Sequence, residues 1–114
     1  MIEPMIYAGL PAEKQTKISK NSDLVFEVIQ KTMGYSKADL IGKGRNTLLV
    51  DCRIFFSWIL RERLKCTLVH IAKQLKRDHT TIMYYFEVVD IRLQNEPVFR
   101  RNYEAVLAEF GRRF

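Results

Sequence analysis

The 114-residue sequence has little of what marks several familiar protein classes. It has two cysteines and three prolines, and it contains no run of roughly 18 apolar residues, the length that a transmembrane helix requires. The opening stretch MIEPMIYAGLPAEKQ lacks the basic start and apolar core of a secretory signal. We therefore expect a cytoplasmic protein that is not bound to a membrane and whose cysteines are reduced.

The common signatures of cofactor and metal sites are also missing. No GxxxxGK[ST] loop is present to bind nucleotide phosphates. The candidate ligands Cys52, Cys66, His70 and His79 form neither a CxxC nor an HxxxH pair. Because no activated-nucleophile motif is present either, we expect no enzyme, no bound nucleotide, no metal and no other cofactor.

The sequence does have a sizeable apolar fraction and an uneven distribution of charge. Hydrophobic residues make up 47% of the chain, which is enough for the core of one domain. Nineteen lysines and arginines against thirteen acids give a net charge of +6. Nine of those cations and only two acids lie between Lys43 and Arg77, so this segment carries +7. Such a concentration favours an acidic partner.

The apolar spacing predicts helices and no strands. We expect residues 1–20 to form a flexible N-terminal arm and residues 21–114 to form the folded domain. The predicted helix starts, in chain order, are Asn21 or Ser22, Ser36, Thr47, Thr67, Asp78 and Pro97. Trp58 is assigned to the core rather than to a base-stacking platform. The last helix is expected to bury Val98, Tyr103, Val106, Leu107 and Phe110.

The stretch KRDHTTIMYY follows a helix of about two turns and begins another. Two helices separated by a few residues, the second with a polar start, are typical of a helix-turn-helix, whose second helix enters the major groove. A simpler interpretation is equally open from the residues alone. Asp78 can be only a capping residue, with Thr80 and Thr81 as ordinary first-turn residues.

Three stretches together carry a resemblance to a known family. ADLIGKGR, the long helix with Arg53, and TLVHIAKQLKRDHTTIMYY resemble the C-terminal DNA-binding domain, domain IV, of the bacterial replication initiator DnaA. The match covers roughly residues 22 to 95 and lacks the ATPase part of that initiator. The resemblance implies an all-α, trp-repressor-like domain of about six helices that contains a helix-turn-helix.

The resemblance also implies site residues. Asp78, His79 and Thr80 are expected to read base edges in the major groove, and Arg45 is expected to enter the minor groove. The expected contacts to the DNA backbone are Lys43, Arg53, Thr67, Lys73, Lys76, Arg77, Thr81 and Tyr84. Together with Arg45, the cations of this set predict about five phosphate contacts.

Four departures from the family pattern bear on these expectations. Gly44 and Thr47 stand where the family often has further arginines near Arg45, and Asp51 adds a negative charge there. The turn before Arg77 is one residue short and has no glycine, Ala72 replaces a glycine, and Tyr84 and Tyr85 replace a His-Ala pair. Weaker backbone binding is expected, and the family's usual DNA box cannot be assumed for this chain.

The expected function is sequence-specific binding of double-stranded DNA in replication initiation or its regulation, including at a phage or mobile-element origin. A small transcriptional regulator and a protein interaction module using the same helices are the alternatives. We expect a monomer whose further partners include other replication proteins.

Overall fold

A computed structural model of the protein describes the backbone of residues 12–114 and the side chains from residue 21 onward. Within this part the chain forms six helices and no strand. The helices are α1 (Ala12–Met33), α2 (Lys37–Ile41), α3 (Thr47–Glu62), α4 (Leu68–Leu75), α5 (His79–Asn95) and α6 (Pro97–Arg113). The predicted all-α fold of about six helices is confirmed.

The first helix begins earlier than the sequence pattern predicted. It starts at Ala12, so Asn21 and Ser22 lie inside α1 rather than at its N-cap. Residues 12–20 read AEKQTKISK and contain strong helix formers such as Ala, Glu, Lys and Gln, but almost no apolar residues to mark a buried face. Residues 1–11 of the predicted arm lie outside the described residues, and that part of the prediction remains a prediction.

Three helices have a polar N-cap residue at the predicted start or one residue before it. Ser36 forms a capping box, in which its Oγ accepts from the amide of Asp39 at 3.2 Å and the Asp39 carboxylate accepts from the amide of Ser36 at 2.9 Å. Asn46 caps α3 through a 2.9 Å bond from the amide of Leu49. Thr67 caps α4 as predicted.

Helix α3 is the centre of the fold. Phe55, Phe56, Ile59 and Leu60 on this helix are completely buried. Phe56 stacks on Phe26 of α1 with ring centroids 4.1 Å apart. The prediction that α3 is the central helix is confirmed, since the surrounding helices pack against its buried side chains. The core assignment of Trp58 is confirmed as well, since its half-buried ring packs on Phe86 with centroids 5.6 Å apart.

The buried set predicted for α6 contained one error. Val98 is 58% exposed, whereas Phe99 is 2% exposed and packs on Phe55 with ring centroids 4.9 Å apart. Starting at Pro97, the helix places Phe99 on the same face as the buried Tyr103, and this turns Val98 outward. The rest of the predicted set is buried or half-buried.

Both cysteines are free and buried, and burial raises the pKa of each thiol to about 12. They are therefore protonated core side chains at neutral pH. Over the described residues, no three His, Cys, Asp or Glu side chains are grouped closely enough to hold a metal ion. None of the helices described here has the length and apolar character needed to cross a membrane.

Candidate nucleic-acid interface

Helices α4 and α5 are joined by a turn of three residues. The turn begins at Lys76, which has left-handed backbone angles (φ 54°, ψ 49°) and donates its amide to the carbonyls of Ala72 and Lys73. The amide of Arg77 bonds to the carbonyl of Ala72 at 3.0 Å. These bonds satisfy the last carbonyls of α4 and redirect the chain, so that α5 begins at once.

The first turn of α5 presents polar side chains to solvent. Asp78, His79 and Thr80 are all exposed, while Ile82 and Tyr85 anchor the opposite face of the helix in the core. Asp78 occupies the N-cap position, but its side chain accepts no capping hydrogen bond. The prediction that Asp78 caps α5 is therefore wrong for its side chain, whose carboxylate is free of that role.

A cleft of about 730 Å³ lies where the end of α4 meets the start of α5. It brings together the three predicted base-reading residues of α5 and three predicted backbone contacts. Its lining residues are Val69, Ala72, Lys73, Lys76, Arg77, Asp78, His79 and Thr80.

A second depression of about 460 Å³ adjoins the first, because Arg77 lines both. Its other lining residues come from the loop between α2 and α3, from α3 and from α5, and they are Gly42, Lys43, Gly44, Arg45, Val50, Arg53, Thr81 and Tyr85. A third depression of about 510 Å³ shares Arg45 with the second and includes Tyr84. Every predicted site residue except Thr67 therefore lines at least one of three depressions that share lining residues.

Arg53 does not fit the role that the family resemblance implies for it. The side chain was expected to contact the DNA backbone, but the residue is 2% exposed. Its guanidinium donates to the carbonyls of Leu40 and Gly44 at 2.7 Å each and to that of Gly42 at 3.0 Å. A buried side chain held by protein carbonyls cannot reach a phosphate, so the expectation for Arg53 is wrong.

Thr67 is the second residue to be reassigned. It is 4% exposed, and its Oγ1 accepts the amide of His70 at 3.1 Å as the cap of α4. Its burial and its capping bond indicate a structural role for Thr67 rather than the expected contact to the DNA backbone. His70 itself is buried and lies 3.2 Å from Ser22 Oγ, which connects α4 to α1. Its pKa is lowered by burial and, secondarily, by Lys73.

The two tyrosines that depart from the family pattern have different surroundings. Tyr84 is 58% exposed beside Arg45 in the third depression, whereas Tyr85 is 5% exposed. Burial raises the pKa of Tyr85, although the guanidinium groups of Arg53 and Arg77 act in the opposite direction. Only Tyr84 of the pair is therefore available at the surface.

The negative charge of Asp51 does not face the candidate site as an unpaired charge. Asp51 is 6% exposed, and its carboxylate binds the guanidinium of Arg92 at 2.7 Å. Arg92 also pairs with Glu96 at 2.9 Å and lies over the ring of Phe99. Asp51 thus joins α3 to α5, and the expectation that its charge weakens binding to a DNA backbone loses its basis.

Four cations at the site remain exposed to solvent. They are Lys43 and Arg45 on the loop between α2 and α3, and Lys73 and Lys76 at the end of α4. Arg77 is half-buried, and its guanidinium donates to the carbonyls of Ile41 at 3.3 Å and Leu75 at 3.0 Å. The exposed positive charge thus lines the cleft at the α5 start and the depression next to it.

Sequence reasoning missed the hydrogen bonds that support the loop between α2 and α3. One signal for them was present. Arg53 stands four residues after Leu49 and three before Phe56, so it shares the buried face of α3. The spacing of apolar residues therefore indicated burial of Arg53, while the resemblance indicated exposure. No comparable signal identified the carbonyl partners, because they depend on how α2 packs.

Two helices with a three-residue turn, and an exposed polar start of the second helix flanked by cations, define a helix-turn-helix domain. The family described as the bacterial dnaA protein helix-turn-helix matches residues 22–89, and the chain belongs to this family. The resemblance stated from the sequence is thereby confirmed.

The chain is also similar to a protein of Thermomicrobium roseum named chromosomal replication initiator protein DnaA. The two are 33% identical over 87 residues, which cover 75% of this chain and 19% of the relative. The chain therefore corresponds to a small part of that protein's length. No solved structure gave a significant match.

The left-handed backbone of Lys76 allows a test of whether this turn lowers the stability of the domain. A left-handed backbone costs a residue with a Cβ roughly 1 to 2 kcal/mol, and glycine avoids this cost. We expect Lys76→Gly to raise the free energy of unfolding by about 1 kcal/mol in urea titrations. If Lys76 contacts phosphate, the same change should weaken DNA binding and reduce its salt slope by about 0.9.

Lys65 is the matched control, since it has the same left-handed backbone (φ 56°) but lines none of the three depressions. Lys65→Gly should give a similar gain in stability and leave DNA binding unchanged. Equal effects of the two variants on DNA binding would contradict a specific role for Lys76.

Proposed function

We propose that the chain binds double-stranded DNA in a sequence-specific way through its helix-turn-helix and catalyses no reaction. The observation that carries this proposal is the exposed first turn of α5, where Asp78, His79 and Thr80 lie beside an open cleft. A carboxylate can accept a hydrogen bond from cytosine N4, and a threonine methyl can pack on the thymine methyl. A helix start of this kind suits direct readout in the major groove.

Affinity is assigned to the exposed cations rather than to the reading residues. Lys73 and Lys76 line the cleft at the α5 start, and Lys43 and Arg45 line the depression that shares Arg77 with it. Contacts to phosphates fix the register of a protein on the duplex and carry no sequence information directly. In this proposal Arg45 enters the minor groove, while Thr81 and Tyr84 contact the backbone beside it.

The process that we propose is replication initiation or its regulation. Its support is family membership and the similarity to the Thermomicrobium roseum protein, which is named a chromosomal replication initiator. Regulation of transcription would use the same surface. Genes whose expression changes on deletion, without a change in origin firing, would favour the transcriptional role.

A protein interaction module is the second candidate, and one observation favours it. The third depression has an apolar floor that includes Val50, Ile54 and Val88, and its edge includes Ile91, which is 64% exposed. Large exposed apolar side chains are a feature of protein contact surfaces. A partner bound there should resist salt, whereas bound DNA should be released by it.

The salt dependence of DNA binding tests the proposal quantitatively. Of the six cations at the site, Arg53 is buried and Arg77 is engaged by carbonyls, which leaves four and lowers the expected number of phosphate contacts from about five to at most about four. At about 0.9 counterion per contact, log affinity plotted against log salt concentration should have a slope of roughly −3 to −4. Fluorescence anisotropy of a labelled 24-base-pair duplex, measured over a series of salt concentrations, gives this slope.

Tight binding with a slope near zero would contradict the electrostatic part of the proposal. Absence of binding to any duplex at low salt, by a chain whose circular dichroism is helical, would contradict the proposal as a whole. Lys73→Met removes one of the four cations and should make the slope less steep by about 0.9.

A further inference from the structure

The loop between α2 and α3 carries Lys43 and Arg45, and it follows a helix of only five residues. So short a helix has little stability of its own, and its last carbonyl groups need partners outside it. The carbonyls concerned belong to Asp39, Leu40, Ile41, Gly42 and Gly44, and two arginine side chains supply the donors.

Arg53 supports this loop from the interior. It lies on the central helix α3, and its guanidinium bonds to carbonyls before and after Lys43, at Gly42 (3.0 Å) and Gly44 (2.7 Å). The loop approaches α3 closely, since a Cβ added to Gly44 would meet Leu49 at 2.7 Å. Arg53 thus provides one of the two attachments of the loop.

Arg77 supports the same loop from the helix-turn-helix. Its Nη1 donates to Leu75 at the end of α4 and to Ile41 at the end of α2, and its Nη2 donates to Gly42. The Gly42 carbonyl therefore accepts from both arginines. One guanidinium joins the element with the proposed base-reading residues to the element that carries Arg45.

We infer that Arg77 is a positioning residue, which sets the distance and angle between the start of α5 and the Arg45 loop. The inference rests on the proposed function and deepens it, because it specifies how a major-groove contact and a minor-groove contact are held in register. Arg77 then acts through Arg45 and not through a phosphate of its own.

The chemistry of the guanidinium explains why arginine is required at this position. Arginine offers five donors in a rigid planar fork, whereas lysine offers a point charge on a flexible stem. Arg77→Lys therefore keeps the charge and removes the fork. Lys73→Met is the control with the opposite change, because it removes a positive charge from the same cleft and leaves the guanidinium of Arg77 intact.

The first experiment needs no DNA. In the unmodified chain, backbone order parameters of residues 43–45 from ¹⁵N relaxation should be near 0.85, as in rigid backbone. Arg77→Lys, and Arg77→Met as a second variant without any donor, should lower them to about 0.6 or below, while values within α5 stay unchanged. Lys73→Met should change neither.

The second experiment uses a duplex carrying the sequence enriched by this chain from random DNA. Hydroxyl radicals report contacts in the minor groove, and dimethyl sulfate reports guanine N7 in the major groove. Arg77→Lys should lose the protection from hydroxyl radicals that Arg45→Ala also loses, and it should keep the protection from dimethyl sulfate.

Loss of both protections together in Arg77→Lys, or unchanged order parameters in residues 43–45, would overturn the positioning role. Unchanged minor-groove protection with a flatter salt slope would show instead that Arg77 contacts a phosphate. If the unmodified chain binds no duplex, the proposed function fails, and the order parameters alone decide whether Arg77 holds the loop.

Discussion

Replacing Arg53 by alanine should lower the free energy of unfolding by roughly 3 to 5 kcal/mol, which is a large part of the stability of a domain of this size. The guanidinium is 2% exposed and donates to four carbonyl groups. A hydrogen bond from a charged group contributes about 1.5 to 3 kcal/mol, and contributions from one side chain are not fully additive. Urea unfolding followed by circular dichroism measures the change.

Arg45→Ala is the control, because Arg45 is an exposed arginine on the loop that Arg53 supports. Its removal should change stability by no more than about 0.5 kcal/mol. If Arg53→Ala were as stable as Arg45→Ala and weakened binding to all DNA sequences alike, Arg53 would be the phosphate contact that the family resemblance implied, and its buried role would be refuted.

Replacing His79 or Thr80 by alanine should remove sequence discrimination while leaving the fold intact. Both side chains are exposed on the first turn of α5, and neither belongs to the buried core. Each lost base contact should reduce the preference for the selected sequence over random DNA by about 1 to 3 kcal/mol. Competition titrations of the two duplexes at one salt concentration give this ratio.

Lys73→Met provides the comparison for this prediction. It should weaken selected and random duplexes by the same factor, since a phosphate contact is independent of sequence. Asp78 is a further probe, because its side chain makes no capping bond that a substitution would delete. Full selectivity in both His79→Ala and Thr80→Ala would show that the first turn of α5 is only a structural helix start.

Much of the fold could be predicted because local signals agreed with one another. The N-caps at Ser36 and Thr67 and the first-turn Pro97 mark helix starts through chemistry that acts within a few residues. Where the apolar pattern was weak, the prediction failed. The polar stretch at residues 12–20 is helical, and Val98 was confused with its neighbour Phe99.

The candidate site was predicted less completely than the fold, and the reason is physical. Exposure of His79 and Thr80 follows from their position on one helix, which a helical period can indicate. The roles of Arg53, Arg77 and Asp51 depend on which carbonyl or guanidinium another helix brings within 3 Å or so. Such partners are far apart in sequence, and a charge alone does not reveal whether it is paired inside the protein.

Selection of bound sequences from random duplex DNA tests the central claim most directly. At a salt concentration near 0.15 M, the unmodified chain should enrich one short sequence, and a variant combining His79→Ala with Thr80→Ala should recover DNA without enrichment. No enriched sequence from the unmodified chain, or the same enriched sequence from that variant, would contradict the proposal that α5 reads base edges.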